Sequence, residues 1–173
     1  MSRPNPAPNP APNPAPHLAA IIRAHADGDQ PLATFRAVDA AMAACIGHKL
    51  FTILILHPGL KQSERYYTNQ PRAYPVGGRK PVTDAPWMRR VVDGGEIFIG
   101  RDYDEIKTVF FDHELIRSLG CESVLNVPVR WCGQTLGTLN LLHEAGWYTP
   151  ADEPIARLIA HLALPAMMLI AQQ

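Results

Sequence analysis

The chain has no surplus of charge. Sixteen Lys and Arg are matched by sixteen Asp and Glu among 173 residues, a formal net charge of zero. A protein that grips nucleic acid by neutralising phosphates carries a basic excess, so that class falls away. Cysteine is scarce too: Cys45, Cys121 and Cys132 make an odd number, with no Cys-x-x-Cys pair and no histidine at metal-ligand spacing. Neither a disulfide framework nor a metal site is expected, and a reducing cytoplasm is the natural setting. No positively charged start leads into an apolar run, as a secretory leader requires. The most apolar stretch, residues 155–173, is interrupted by Arg157, His161 and Pro165 and does not read as a membrane span.

Proline is the one residue type in apparent excess, and its placement explains it. Seven of seventeen prolines fall in residues 1–16, where Pro-Asn-Pro-Ala repeats with a period of four. Such a segment has few backbone donors and no side chain worth burying, so residues 1–16 are expected to be a disordered tail. A short helix and linker follow over 17–30, and residues 31–173 are expected to form one domain, with 47% hydrophobic residues in the chain to build its core.

Within that domain, Leu32, Phe35, Val38, Met42, Cys45 and Ile46 recur at helical spacing until Gly47. Residues 49–56 form a continuous apolar run, read as a central strand covered on both faces, and residues 63–69 read as its more exposed neighbour. The three prolines and the Gly-Gly pair of 70–82 predict a loop, and Asp84 is expected to cap a short helix through Val92. A strand at 96–100 precedes one predicted helix over 102–119. Residues 123–131 and 135–143 then form a hairpin through Gly133-Gln134, and a last helix opens at Thr149-Pro150. That order predicts an α+β fold: an antiparallel sheet of five or six strands with long helices packed on one face.

The hairpin segment SVLNVPVRWCGQTLGTLNLLH (123–143), followed by Tyr148-Thr149-Pro150-Ala151-Asp152, resembles the C-terminal half of a GAF domain. The inner segments are similar to those of small bacterial stand-alone GAF proteins: Arg65 and Tyr67 in a strand, Tyr74 to Pro81 in a loop, and Asp112 to Cys121 leading into the hairpin. The resemblance implies a PAS-related sheet whose second face, under small helices and loops, holds a small molecule. It also implies a sensory role, a homodimer through the first and last helices, and a signalling output on a separate partner.

Known GAF chemistries can be tested against these residues. The three cysteines lie at a helix end and at the two ends of one predicted strand, unlike the cluster of the free methionine sulfoxide reductases, so they read as inert. There is no Cys-His dipeptide for a bilin and no Asn-Lys-x-Asp-Glu motif for a cyclic nucleotide. Haem through His113 is a remaining alternative, and no other cofactor is predicted. The charge is also segregated along the chain. Residues 61–90 hold seven basic side chains against two acids, and residues 91–122 hold eight acids against three bases. The expected ligand site is therefore polar or anionic: Arg65, Tyr67, Tyr74, Arg79, Lys80 and Trp87 on one side, Phe110 and His113 on the other, with Gly77-Gly78 lending backbone N–H groups. The bland alternative is that basic and acidic segments pair with each other. A small enzyme using Asp112, His113 and Glu114 is the competing functional reading.

Overall fold

The computed structural model describes residues 13–171, so residues 1–12 of the proline repeat lie outside the described part. Helix α1 (Ala15–Ala24) starts two residues before His17, inside the repeat. Pro16 falls in its first turn, where a missing N–H leaves nothing unpaired. Helix α2 (Leu32–Cys45) and strands β1 (Leu50–His57) and β2 (Gln62–Thr68) follow as expected. The stretch read as a loop contains a short edge strand, β3 (Arg79–Pro81), paired to β2. Helix α3 (Pro86–Val92) is preceded by Ala85, and no side chain caps it, so Asp84 does not serve as expected.

Strand β4 (Phe98–Gly100) comes next. The single helix expected over 102–119 is two: α4 (Tyr103–Val109) and α5 (His113–Ser118). Phe110 turns extended between them, with its ring packed near Trp87, and Asp112 is held by Lys80 and Tyr74. Tertiary contacts here override helix propensity. Strands β5 (Ser123–Trp131) and β6 (Gln134–His143) make the hairpin, and its turn is Cys132-Gly133, one residue earlier than composition indicates. Both turn residues have positive φ, 48° and 79°, as a two-residue turn of this kind requires. The final helix is also split, into α6 (Glu153–His161) and α7 (Leu164–Ala171), bent by 51°. Pro165 supplies the break, because its ring clashes with the carbonyl four residues back. Among the described residues no single helix is long and apolar enough to cross a membrane.

The strands form one antiparallel six-stranded sheet in the order β3-β2-β1-β6-β5-β4. Alternation sorts the central strands into two faces. Phe51, Ile53 and Ile55 of β1, with Leu139 and Leu141 of β6, pack against Phe35, Met42, Ile159 and Met167 of the helical layer. Each such buried side chain contributes about 1.5–3 kcal/mol. The opposite face of the same strands carries Leu50, Val124 and Leu142, covered by α4, α5 and the loop holding Tyr74. The chain is thus a sheet with long helices on one side and short elements on the other.

One irregularity decides what β2 presents. Ile53 pairs with Tyr67, but its neighbour Leu54 pairs with Arg65, so Tyr66 is an extra residue. This β-bulge reverses the alternation, and Arg65 and Tyr67 face opposite sides of the sheet although they are two residues apart.

Candidate functional site

Between the second face of the sheet and its short covering elements lies a cavity of about 250 Å³. Its floor is built by alternate residues of three strands: Thr52, Leu54 and Leu56 of β1, Thr138 and Asn140 of β6, and Val124 and Asn126 of β5. Trp87, Met88 and Val91 of α3 and the α4–α5 junction residues Phe110 and Phe111 also line it. Most of this surface is apolar, and two places carry linked polar side chains.

The first place is a charged end. Arg65 comes from β2 and Lys80 from β3, both on the face turned towards the cavity, while Tyr74 descends from the connecting loop. Lys80 Nζ donates to Asp112 Oδ2 at 2.8 Å and to the Tyr74 hydroxyl at 3.0 Å, and the Tyr74 hydroxyl itself donates to Asp112. Burial lowers the Lys80 ammonium from its ordinary pKa, and burial together with the Asp112 hydrogen bond raises the Tyr74 phenol. Burial pushes the Asp112 carboxyl up, but Lys80 and the hydrogen bonds outweigh it and hold the group below its usual range.

Arg65 is different. Its residue is 6% exposed, and it makes no ion pair among the described residues. One arm of the guanidinium donates to the Pro75 carbonyl at 2.6 Å, and its central carbon lies 3.7 Å over the Tyr74 ring centroid. Its Nε has no partner. Burial lowers its pKa from the ordinary value. A buried cation with no ion pair of its own, offset only in part by the nearby charge of Asp112, is a costly arrangement.

The second place is a polar row across the floor. Register pairs Asn126 with Asn140 and Asn140 with Thr52. Asn126 Nδ2 donates to Asn140 Oδ1 at 2.6 Å, and Asn140 Nδ2 donates to Thr52 Oγ1 at 3.1 Å. Asn126 Oδ1 is left without a partner. Two asparagines interrupting apolar strands at paired positions were the signal for this row, visible only once the hairpin register is drawn.

Of the eight residues expected at the site, Arg65, Tyr74, Lys80, Trp87 and Phe110 line the cavity, and three lie elsewhere. Tyr67 is turned by the bulge to the helical face, where its hydroxyl donates to Asp39 at 2.7 Å. Arg79 alternates with Lys80 on β3, so it points outward and pairs with Glu64 at 2.9 Å. His113 meets the Tyr103 hydroxyl through Nδ1 at 2.8 Å, away from the cavity lining. Asp112, His113 and Glu114 therefore do not converge, and the haem alternative has no imidazole facing the cavity. Gly77 gives its N–H to the Arg65 carbonyl at 2.8 Å and so extends the sheet instead of cradling an anion. Segregated charges do meet: Lys80–Asp112 joins the basic and acidic segments inside, and Arg90–Glu96 joins them outside at 2.7 Å. Among the described residues no cysteine lines the cavity. Cys45 ends α2, Cys121 is buried with its thiol pushed up to about 11 by desolvation, and Cys132 is exposed in the hairpin turn.

The family model described as GAF domain matches residues 20–166. No curated protein matches the chain. Solved structures share its fold at low identity. The GAF domain of a phosphoenolpyruvate-protein phosphotransferase from Coxiella burnetii superposes with a TM-score of 0.71 at 16% identity, covering 95% of this chain and 98% of that one. The free methionine-R-sulfoxide reductase of Neisseria meningitidis, solved with its substrate, gives 0.70 at 17% identity, covering 96% and 95%. The GAF domain of a two-component sensor histidine kinase from Bacillus halodurans gives 0.64 at 12% identity, covering 80% and 95%.

Proposed function

The chain belongs to the GAF domain family, whose members are typically small-molecule-binding sensory modules, and from that premise we propose that it senses a small anionic molecule bound at the Arg65–Lys80 end of the cavity. The observation that carries the reading is the buried guanidinium of Arg65, which has an idle Nε and makes no ion pair among the described residues. Arg65 and Lys80 face a single carboxylate, Asp112, which leaves one positive charge in surplus beside an apolar chamber. One anionic group offsets that surplus, and arginine offers it a two-pronged set of donors. Lys80 adds a second donor within the same cluster.

The test is a melting screen of the purified chain against carboxylates, phosphates and neutral compounds of similar size. The reading expects some anion to raise the melting temperature of wild type and to lose that effect in Arg65→Met and Lys80→Met. If no anion class shifts wild type, or the variants respond as wild type does, the reading falls. A homodimer through the first and last helices belongs to the same proposal. It is supported by the exposure of Ile22 on α1 and of Leu158 and Leu169 on α6 and α7. Sedimentation at micromolar concentration showing only monomer would remove it. A separate protein receiving the signal completes the reading.

A further inference from the structure

The cavity says more about the ligand than its charge. A dry cavity of about 150 Å³ takes a benzene ring. At 250 Å³ this one has room for a single ring with a short substituent at each end, on the order of ten to twelve non-hydrogen atoms by the same measure. Nucleotides, haem and bilins are far larger. The rest of the chamber is lined largely by apolar side chains, among them Leu54, Trp87, Val91 and Phe110.

The far end is the Asn126–Asn140–Thr52 row. Its hydrogen bonds run from Asn126 to Asn140 to Thr52, and Asn126 Oδ1 is the atom left over. Turning the Asn126 amide alone would set two carbonyl oxygens against each other; turning both amides, with the Thr52 hydroxyl donating, would leave Nδ2 over instead, and a ligand hydroxyl, donor and acceptor both, pairs with either atom. Asn126 is 2% exposed and lines the cavity, and its idle Oδ1 is an acceptor. A buried acceptor without a donor is costly, and a ligand O–H or N–H recovers that cost. Arg65 stands on β2 and Asn126 on β5, three strand spacings apart and two residues apart along the strands, about 16 Å between backbones. Side chains from both ends shorten the gap to the length of one ring with two substituents.

We infer that the ligand is a monocarboxylate with an apolar, single-ring-sized body and a hydroxyl at the opposite end, read by Asn126 at the end of the asparagine–threonine row. This rests on the anion reading above and adds to it a second, specificity-determining subsite that the charged end does not supply. The carboxylate meets Arg65 and Lys80, the body fills the space under Trp87 and Phe110, and the hydroxyl donates to Asn126 Oδ1. No covalent step is involved.

Isothermal titration of the full chain with four probes tests it. These are para-hydroxyphenylpropanoate, phenylpropanoate without the hydroxyl, para-hydroxyphenylpropanol without the carboxylate, and succinate as a polar dianion. The expected order puts the hydroxy acid first. Loss of the hydroxyl weakens Kd about tenfold, the value of one hydrogen bond to a buried acceptor, and loss of the carboxylate abolishes binding. In Asn126→Leu the preference for the hydroxyl disappears while phenylpropanoate still binds, and Asn126→Ser is the smaller change to use if the leucine variant does not fold. Equal binding of the two acids by wild type, or an undiminished preference in a folded Asn126 variant, overturns the inference. Succinate binding tightest overturns it too, and leaves the anion reading standing. Absence of binding by every anion tested, with Arg65→Met unchanged from wild type in the melting screen, takes down both.

Discussion

Removing the Arg65 charge should make the ligand-free protein more stable. Arg65→Met keeps an unbranched stem of similar length and discards the guanidinium. In its favour, the wild-type group has a charge-assisted bond to the Pro75 carbonyl, about 1.5–3 kcal/mol, and its stack on Tyr74, about 1–2 kcal/mol. The variant also leaves the Pro75 carbonyl unpaired, a further loss of about 1 kcal/mol. Against these stand a buried charge offset only in part by Asp112, about 3–5 kcal/mol, and the idle Nε donor, about 1–3 kcal/mol. The balance favours methionine by about 1–2 kcal/mol, a rise in melting temperature of roughly 2–8 °C for a chain of this size. The assay is thermal unfolding by circular dichroism on protein dialysed free of small anions, repeated with a binding carboxylate added. Wild type should gain from the anion and the variant should not. If Arg65→Met melts more than about 5 °C below wild type, the guanidinium is a structural element and its lack of a counter-ion ceases to argue for a ligand.

Gly137→Ala should be severely destabilising, because a Cβ there would stand 2.2 Å from the Leu54 carbonyl oxygen at the β1–β6 seam. A loss of about 3 kcal/mol is expected, read as a lowered urea midpoint, and a shift under about 0.5 kcal/mol would show that the seam can open freely. The Asp112 carboxyl titrates below its usual range in the folded state, so its contribution is complete above the unfolded value of about 4 and is lost as pH falls through the folded value. The stability gap between wild type and Asp112→Asn should therefore be wide near neutral pH and close in acid. A gap that does not change with pH would show that the contribution is not ionic. With iodoacetamide at mildly alkaline pH, exposed Cys132 should react first and Cys121 only on unfolding, since its thiol is buried and pushed up to about 11. Mass spectrometry locating early label on Cys121 would contradict that burial.

The layer arrangement was legible because it follows from patterns within single segments. The apolar run at β1, the Gly-marked hairpin and the Thr149-Pro150 helix start each announce an element without help from the rest of the chain. Breaks that depend on distant partners were not legible. Nothing local marks the turn at Phe110–Asp112, because what ends α4 there is the packing of Phe110 and the hold of Lys80 and Tyr74 on Asp112. Pro165 did announce its own break and was read only as an argument against a membrane span. At the site, Arg65, Tyr74 and Lys80 were found from the clustering of basic and aromatic residues near glycines. Tyr67 was misplaced because the Arg-x-Tyr spacing implies one face unless the bulge at Tyr66 is known. Arg79 and Lys80 are equally basic, and only the direction of β3 separates the outward one from the inward one. The Asn126–Asn140 row needs the hairpin register, which a turn assigned one residue late would shift.

The bulge at Tyr66 and the charge on Arg65 lock each other in place. Ironing out the extra residue by sliding β2 along β1 would put both side chains on one face: either the guanidinium passes through the sheet into the hydrocarbon around Phe35 and Phe51, or Tyr67 leaves Asp39 for the cavity side. A cation that destabilises the correct pairing slightly destabilises the slipped pairing far more, so Arg65 polices the alignment of the two strands as well as facing the cavity. Arg65→Met relieves the first cost and also removes that discrimination. The same substitution that firms up the ligand-free fold is thus the one in which β2 is freest to occupy two registers.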